Sequence, residues 1–160
     1  MLLPMWALAT SALLISACAT NTAQLPNSTD ASQANDDAPR PDTAPLVLGT
    51  FVDDYGIQYK ITSSEWVQIP SSIFHISKWN SEEMYLIAQN DSDNPGDGGL
   101  WTRIDWVLLP DMPDYPWAYC LTAYDAQSAE AAEATQANRD QPRSGCNGFP
   151  FSRMKRVSSP

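Results

Sequence analysis

The chain has 160 residues, 19 of them acidic against 9 basic, and a formal net charge of −10 at pH 7. That balance argues against nucleic acid and other broadly anionic partners, which attract proteins through clustered Lys and Arg. With 43% apolar residues and six tryptophans the chain can build a core, so a wholly disordered protein is excluded as well.

The first element is an apolar run from Leu2 to Ile15. It is shorter than the about 20 residues of a transmembrane helix and suits a signal-peptide core removed on export. The run ends in Ile15-Ser16-Ala17-Cys18, which resembles the processing site of bacterial lipoproteins. The resemblance implies a signal peptide over 1–17, cleavage after Ala17, and a diacylglycerol chain on the Cys18 sulfur as membrane anchor. By the same resemblance, Ala19 rather than Asp at the second mature position implies sorting to the outer membrane, with the protein facing the periplasm. The chain departs from the pattern in having no Lys or Arg ahead of the apolar run. The alternative is cleavage near Ala19-Thr20, which would discard Cys18. Two or more acyl chains would hold firmly, since each buried methylene contributes about 0.8 kcal/mol.

From Ala19 to Ala44 the composition turns to Asn, Thr, Ser, Gln, Asp and Pro, with Pro26, Pro39 and Pro41 breaking any periodicity. Such a stretch buries too little apolar surface to offset its ordering entropy, so residues 18–44 read as the lipidated cysteine and a disordered tether.

Residues 45–160, about 115 in all, suffice for one domain with its own core. Val47–Val52 and Ile57–Ile61 flank the turn Asp53-Asp54-Tyr55-Gly56 and predict a hairpin. Further strands are expected at Glu65–Ile69, Ile73–Trp79, Met84–Gln89, Leu100–Leu109 and Trp117–Tyr124, separated by breaks rich in Pro, Gly, Asn and Asp. Seven short strands predict a mainly all-β domain, an antiparallel barrel or sandwich. One short C-terminal helix is expected over Ala126–Ala137, capped by Asp125 and stopped before Pro142.

A small barrel, the Gly-x-aromatic start Gly49-Thr50-Phe51, a helix after the last strand and a disulfide near the C-terminus together resemble the lipocalin and avidin group of ligand-binding barrels. The likeness is architectural and implies binding without naming a ligand.

If Cys18 carries lipid, Cys120 and Cys146 remain, an even number in an oxidising compartment, and a structural disulfide between them is expected. A redox or metal pair is weakly supported, since no Cys-x-x-Cys spacing occurs and His75 lies far from both. Along Leu100–Leu108, alternation places Trp101, Arg103 and Asp105 on one face and Leu100, Ile104, Trp106 and Leu108 on the core face. The first three would face solvent or a cleft, as ligand-binding residues or as an exposed ion pair of little consequence. Asn90 to Gly99 carries Asp91, Asp93 and Asp97 but departs from the calcium-loop pattern at Pro95 and lacks the closing Glu, so it reads as a polar connection. His75, between Phe74 and Ile76, reads as a strand histidine. Arg153, Lys155 and Arg156 read as a frayed tail or a contact for anionic headgroups.

No cofactor or metal is implied, and catalysis is the weakest class because no nucleophile elbow, metal triad or facing carboxylate pair is present. The leading expectation is a lipid-anchored envelope protein whose β-domain binds a small-molecule, lipid or glycan ligand in an aromatic-lined cleft. The alternative is a structural or assembly lipoprotein that contacts another envelope protein, with no small ligand.

Overall fold

The computed structural model describes residues 44–157. The expected signal peptide, the lipidated Cys18 and the tether as far as residue 43 lie outside the described residues. Strands β1 (Gly49–Asp53), β2 (Gln58–Ile61), β3 (Glu65–Ile69), β4 (Ser72–Asn80), β5 (Tyr85–Asn90), β6 (Trp101–Leu108), β7 (Trp117–Ala126) and β8 (Ser152–Arg156) form a closed barrel in chain order. Every neighbouring pair is antiparallel, and β8 returns to β1 to remove both edges. A single turn of helix, α1 (Ala44–Val47), precedes the barrel, and α2 (Ala129–Ala134) lies between β7 and β8.

The eighth strand corrects the expected seven and the expected frayed tail. In Ser152–Arg156 one apolar residue, Met154, stands between Arg153 and Lys155; Met154 is fully buried while the two cations are exposed. Its register, Met154 opposite Trp117 on one side and Asp53 on the other, closes the barrel. Arg156 does not fray either. Its guanidinium lies 4.7 Å over the Phe51 ring and donates to the carbonyls of Leu46 and Leu48 at 3.0 Å each. This explains Gly49, whose backbone sits at φ +131° and whose missing Cβ would fall 2.3 Å from Arg156 Nη1.

The helix is shorter than expected because β7 runs on to Ala126. Ser128, not Asp125, caps it, its hydroxyl accepting from the Ala131 amide at 3.2 Å. Its alanines allow close approach, and Ala132 is fully buried against the outer wall of the barrel.

Alternation along the strands fills the barrel with rings. Phe51, Tyr59, Trp66, Trp106, Trp117 and Tyr119 belong to one buried cluster. Phe51 meets Trp117 edge to face at 5.0 Å, Trp66 meets Trp117 at 6.1 Å and 90°, and Trp79 meets Trp106 at 5.8 Å. Such pairs add about 0.5–1.5 kcal/mol each beyond area burial. The indole N–H groups of Trp66, Trp106 and Trp117 have no hydrogen-bond partner among the described residues; where Trp66 stands perpendicular to Trp117, an indole edge meets a π face instead. An eight-stranded barrel is just wide enough for side chains or one small ligand, and here the side chains occupy it.

One end is sealed by Asn90, 2% exposed, whose amide donates to the carbonyls of Asp97 (3.0 Å) and Tyr124 (2.8 Å) and accepts from the Thr102 hydroxyl. Asn94 pins the same loop to β4 by bonding both the N–H and the C=O of Ile73 at 2.8 Å. The Asn90–Gly99 stretch is thus a polar connection, and no group of three or more His, Cys, Asp or Glu placed to hold a metal occurs among the described residues.

Candidate functional site

Trp101, Arg103 and Asp105 share one face of β6 as alternation requires, but that face is neither in solvent nor in a cleft. It is the outer wall of the barrel beneath α2, and the Arg103 and Asp105 side chains are 4% and 1% exposed. Arg103 grips Asp105 through two bonds, Nε to Oδ2 at 2.8 Å and Nη2 to Oδ1 at 2.9 Å. It also donates through Nη1 to the Glu133 carbonyl at 2.6 Å and lies 3.9 Å over the Tyr85 ring. Asp105 further accepts from the Thr122 hydroxyl, and Arg139 approaches it at 3.9 Å. Half-buried Trp101 packs with Tyr85, Ile87 and Ala132 under the same helix.

Around this pair Glu133 accepts from Lys78 at 2.7 Å and from Tyr85 at 2.6 Å. Those two hydrogen bonds, Lys78 first, hold the Glu133 carboxyl below its ordinary range. The assembly is a clamp that fastens α2 to β4, β5 and β6, with Thr122 of β7 bonded to Asp105. All three guanidinium nitrogens of Arg103 and both carboxylate oxygens of Asp105 are engaged within the fold, and both side chains are buried away from solvent.

A second polar chain enters the barrel from the β1–β2 turn. Asp53 Oδ1 accepts the amides of Tyr55 (2.9 Å) and Ile57 (2.8 Å), and Oδ2 accepts the Tyr59 hydroxyl at 2.9 Å. The Tyr59 and Tyr119 hydroxyls are 2.6 Å apart. Burial pushes the Tyr119 hydroxyl up to about 12, and burial together with its neighbours pushes Tyr59 higher still. Both stay neutral phenols near neutral pH. As neutral phenols they hydrogen-bond to each other, and Tyr59 donates to Asp53.

A concavity lies outside the barrel, between the β1–β2 turn, the 109–116 loop joining β6 to β7, and the segment 140–151 that leads into β8. It encloses about 830 Å³ and is lined by Tyr55, Leu109, Met112, Pro142 and Phe151, with Asp111, Asp140 and Arg143 along its rim. A second hollow of about 300 Å³ adjoins it, sharing Tyr55 and Pro150, with Phe149 at its side and Tyr119 and Ser152 at its base. Asp54, on the wall of the larger concavity, is engaged by Arg153 at 2.7 Å. Asp111, Asp140 and Arg143 are exposed and make no hydrogen bond or ion pair among the described residues.

One wall of both concavities depends on the disulfide. Cys120 and Cys146 are bonded as expected, across a separation of 26 residues. Cys120 points out of β7, so the bond fastens segment 138–151 to the outer wall. The segment is otherwise held mainly to itself: Asn138 N–H to Gly145 O at 2.9 Å, Gly145 N–H to Gln141 O at 2.7 Å, Phe151 N–H to Pro142 O at 2.8 Å. Gly145 is required here, since a Cβ would fall 1.8 Å from the Asn138 carbonyl oxygen. Besides the disulfide, buried Phe151, one bond from Asn147 Nδ2 to Thr122 O (3.2 Å) and the approach of Arg139 to Asp105 at 3.9 Å attach the segment to the barrel.

His75 lies on the exposed side of β4, 2.8 Å from Asp91 and 3.7 Å from Glu65, on opposite ring nitrogens. It ties the strand to β3 and to the loop that follows β5, and it does not line either concavity. Sequence reasoning named Tyr55 only as one of many aromatics and missed Met112, Arg143 and Phe149, which sit in turns and loops where no periodicity marks them. The available signal was a large ring set in a stretch built of Gly, Pro, Asp and Asn, where no core position calls for one. Comparison of the chain with protein-family models, with curated proteins and with solved structures returns no match.

Proposed function

We propose that this chain is a lipid-anchored envelope protein, held through Cys18 at the periplasmic face of the outer membrane, whose barrel binds a ligand in the groove beside Tyr55. The anchor rests on the Ile15–Cys18 run. The binding reading rests on one observation: a groove of about 830 Å³, within the range of ligand sites, lined by apolar side chains and edged by charged groups with no partner among the described residues. It moves the site expected at Trp101, Arg103 and Asp105 to the groove lined by Tyr55, Met112 and Phe151. Those residues would then support the site indirectly by fixing the segment that follows α2. Native mass spectrometry of the full chain, purified gently, tests this. A reproducible non-covalent adduct is expected, and Met112→Arg, which would fill the groove, should abolish it. An adduct that persists in Met112→Arg overturns the assignment.

A further inference from the structure

Two of the rings that reach farthest into solvent, Tyr55 and Phe149 at 70% and 71% exposure, border the same 300 Å³ hollow. Exposed rings on mobile loops would carry little meaning, but both are set on fixed backbone. Asp53 Oδ1 holds the Tyr55 amide at 2.9 Å. Phe149 is paired in an antiparallel bridge with Cys146, which is itself bonded to Cys120 on β7. Two rings on fixed backbone, each with only two side-chain torsions to lose, form a platform that binds at low entropic cost.

Resting on the groove reading above, we infer that the ligand is a carbohydrate chain of low net charge, with sugar rings stacked on Tyr55 and Phe149 and hydroxyls bonded to Asp111, Asp140 and Arg143. The C–H face of a pyranose packs on an aromatic face, while its hydroxyls donate to carboxylates and accept from a guanidinium. The unpartnered rim supplies two carboxylates and one guanidinium, a mixture suited to hydroxyl groups and poorly matched to a polyanion. An extended peptide would need a row of backbone donors, whereas Pro110, Pro142 and Pro150 along the walls have none. A lipid tail would make no bond to the charged rim, whose groups water solvates in any case.

The test is saturation-transfer NMR of the full chain, as purified, with three probes: the β-1,4-linked tetramer of N-acetylglucosamine, cellotetraose and maltotetraose. At least one is expected to receive saturation on its ring C–H protons. The Tyr55→Ala/Phe149→Ala double variant, whose fold is checked by circular dichroism, should weaken that binding by about tenfold or more, about 1.4 kcal/mol. Failure of all three probes, or transfer undiminished in the double variant, overturns the inference. A purified adduct that is lost in Met112→Arg yet releases no sugar on hydrolysis overturns the carbohydrate alone and leaves the groove reading standing.

Discussion

Arg103→Leu isolates the clamp under α2. The substitution removes two bonds to Asp105 at 2.8 and 2.9 Å, one to the Glu133 carbonyl, and the stack on Tyr85. Asp105, 1% exposed, keeps only the Thr122 hydroxyl and a distant Arg139 at 3.9 Å. Leaving a buried carboxylate without its cation costs about 3–5 kcal/mol, a large share of the about 5–15 kcal/mol that holds a domain of this size. Urea unfolding of the oxidised protein at neutral pH, followed by tryptophan fluorescence, should show that loss. Replacing both residues, Arg103→Leu with Asp105→Leu, should recover more than half of it, because the unpaired charge is gone. A cost below about 1 kcal/mol for the single change is what a solvent-exposed pair gives, and would refute the burial argument.

Cys146→Ser should lower stability by about 3.5 kcal/mol, from the chain entropy of a loop closed over 26 residues, and the same urea experiment reads it. Asn90→Ala strips partners from Thr102 and from the carbonyls of Asp97 and Tyr124, so a loss of about 3 kcal/mol is expected in thermal unfolding. Glu133 is held below the ordinary range of about 4 by Lys78 and then Tyr85, and Asp91 by the Asp93 amide and then His75. Groups with depressed values contribute fully above about pH 5, and their contribution is lost as pH falls through the folded value. The urea midpoint should therefore drop on acidification below about pH 4, and Lys78→Met should make that drop shallower.

The strands were legible where burial imposes a period of two. Tyr59 and Ile61 alternate with Gln58 and Lys60, and this stretch is β2. The β8 strand was not legible because a single buried residue between cations carries no period, and its place is set by Trp117 and Asp53 across the barrel. On β6 the core face was read correctly for Ile104 and Trp106 but not for Leu108, which is 47% exposed at the strand's end, and the environment of the opposite face was misjudged. Trp101, Arg103 and Asp105 read as outward-facing, which they are with respect to the barrel, but a chain segment more than twenty residues later returns to cover them. Local pattern contains no information about what packs on an outer face. The disulfide was legible from counting cysteines, yet the groove it creates was not, since Tyr55, Met112, Arg143 and Phe149 meet only through the barrel's closure and the folding back of segment 138–151.

A crystal structure of the protein as purified from its host, with whatever it retains, bears most directly on where the ligand sits. Density is expected in the groove between Tyr55, Met112 and Arg143, with Trp66, Trp106 and Trp117 closed over a filled barrel. Density among those three indoles, with the groove vacant, would place the site inside the barrel and contradict the account.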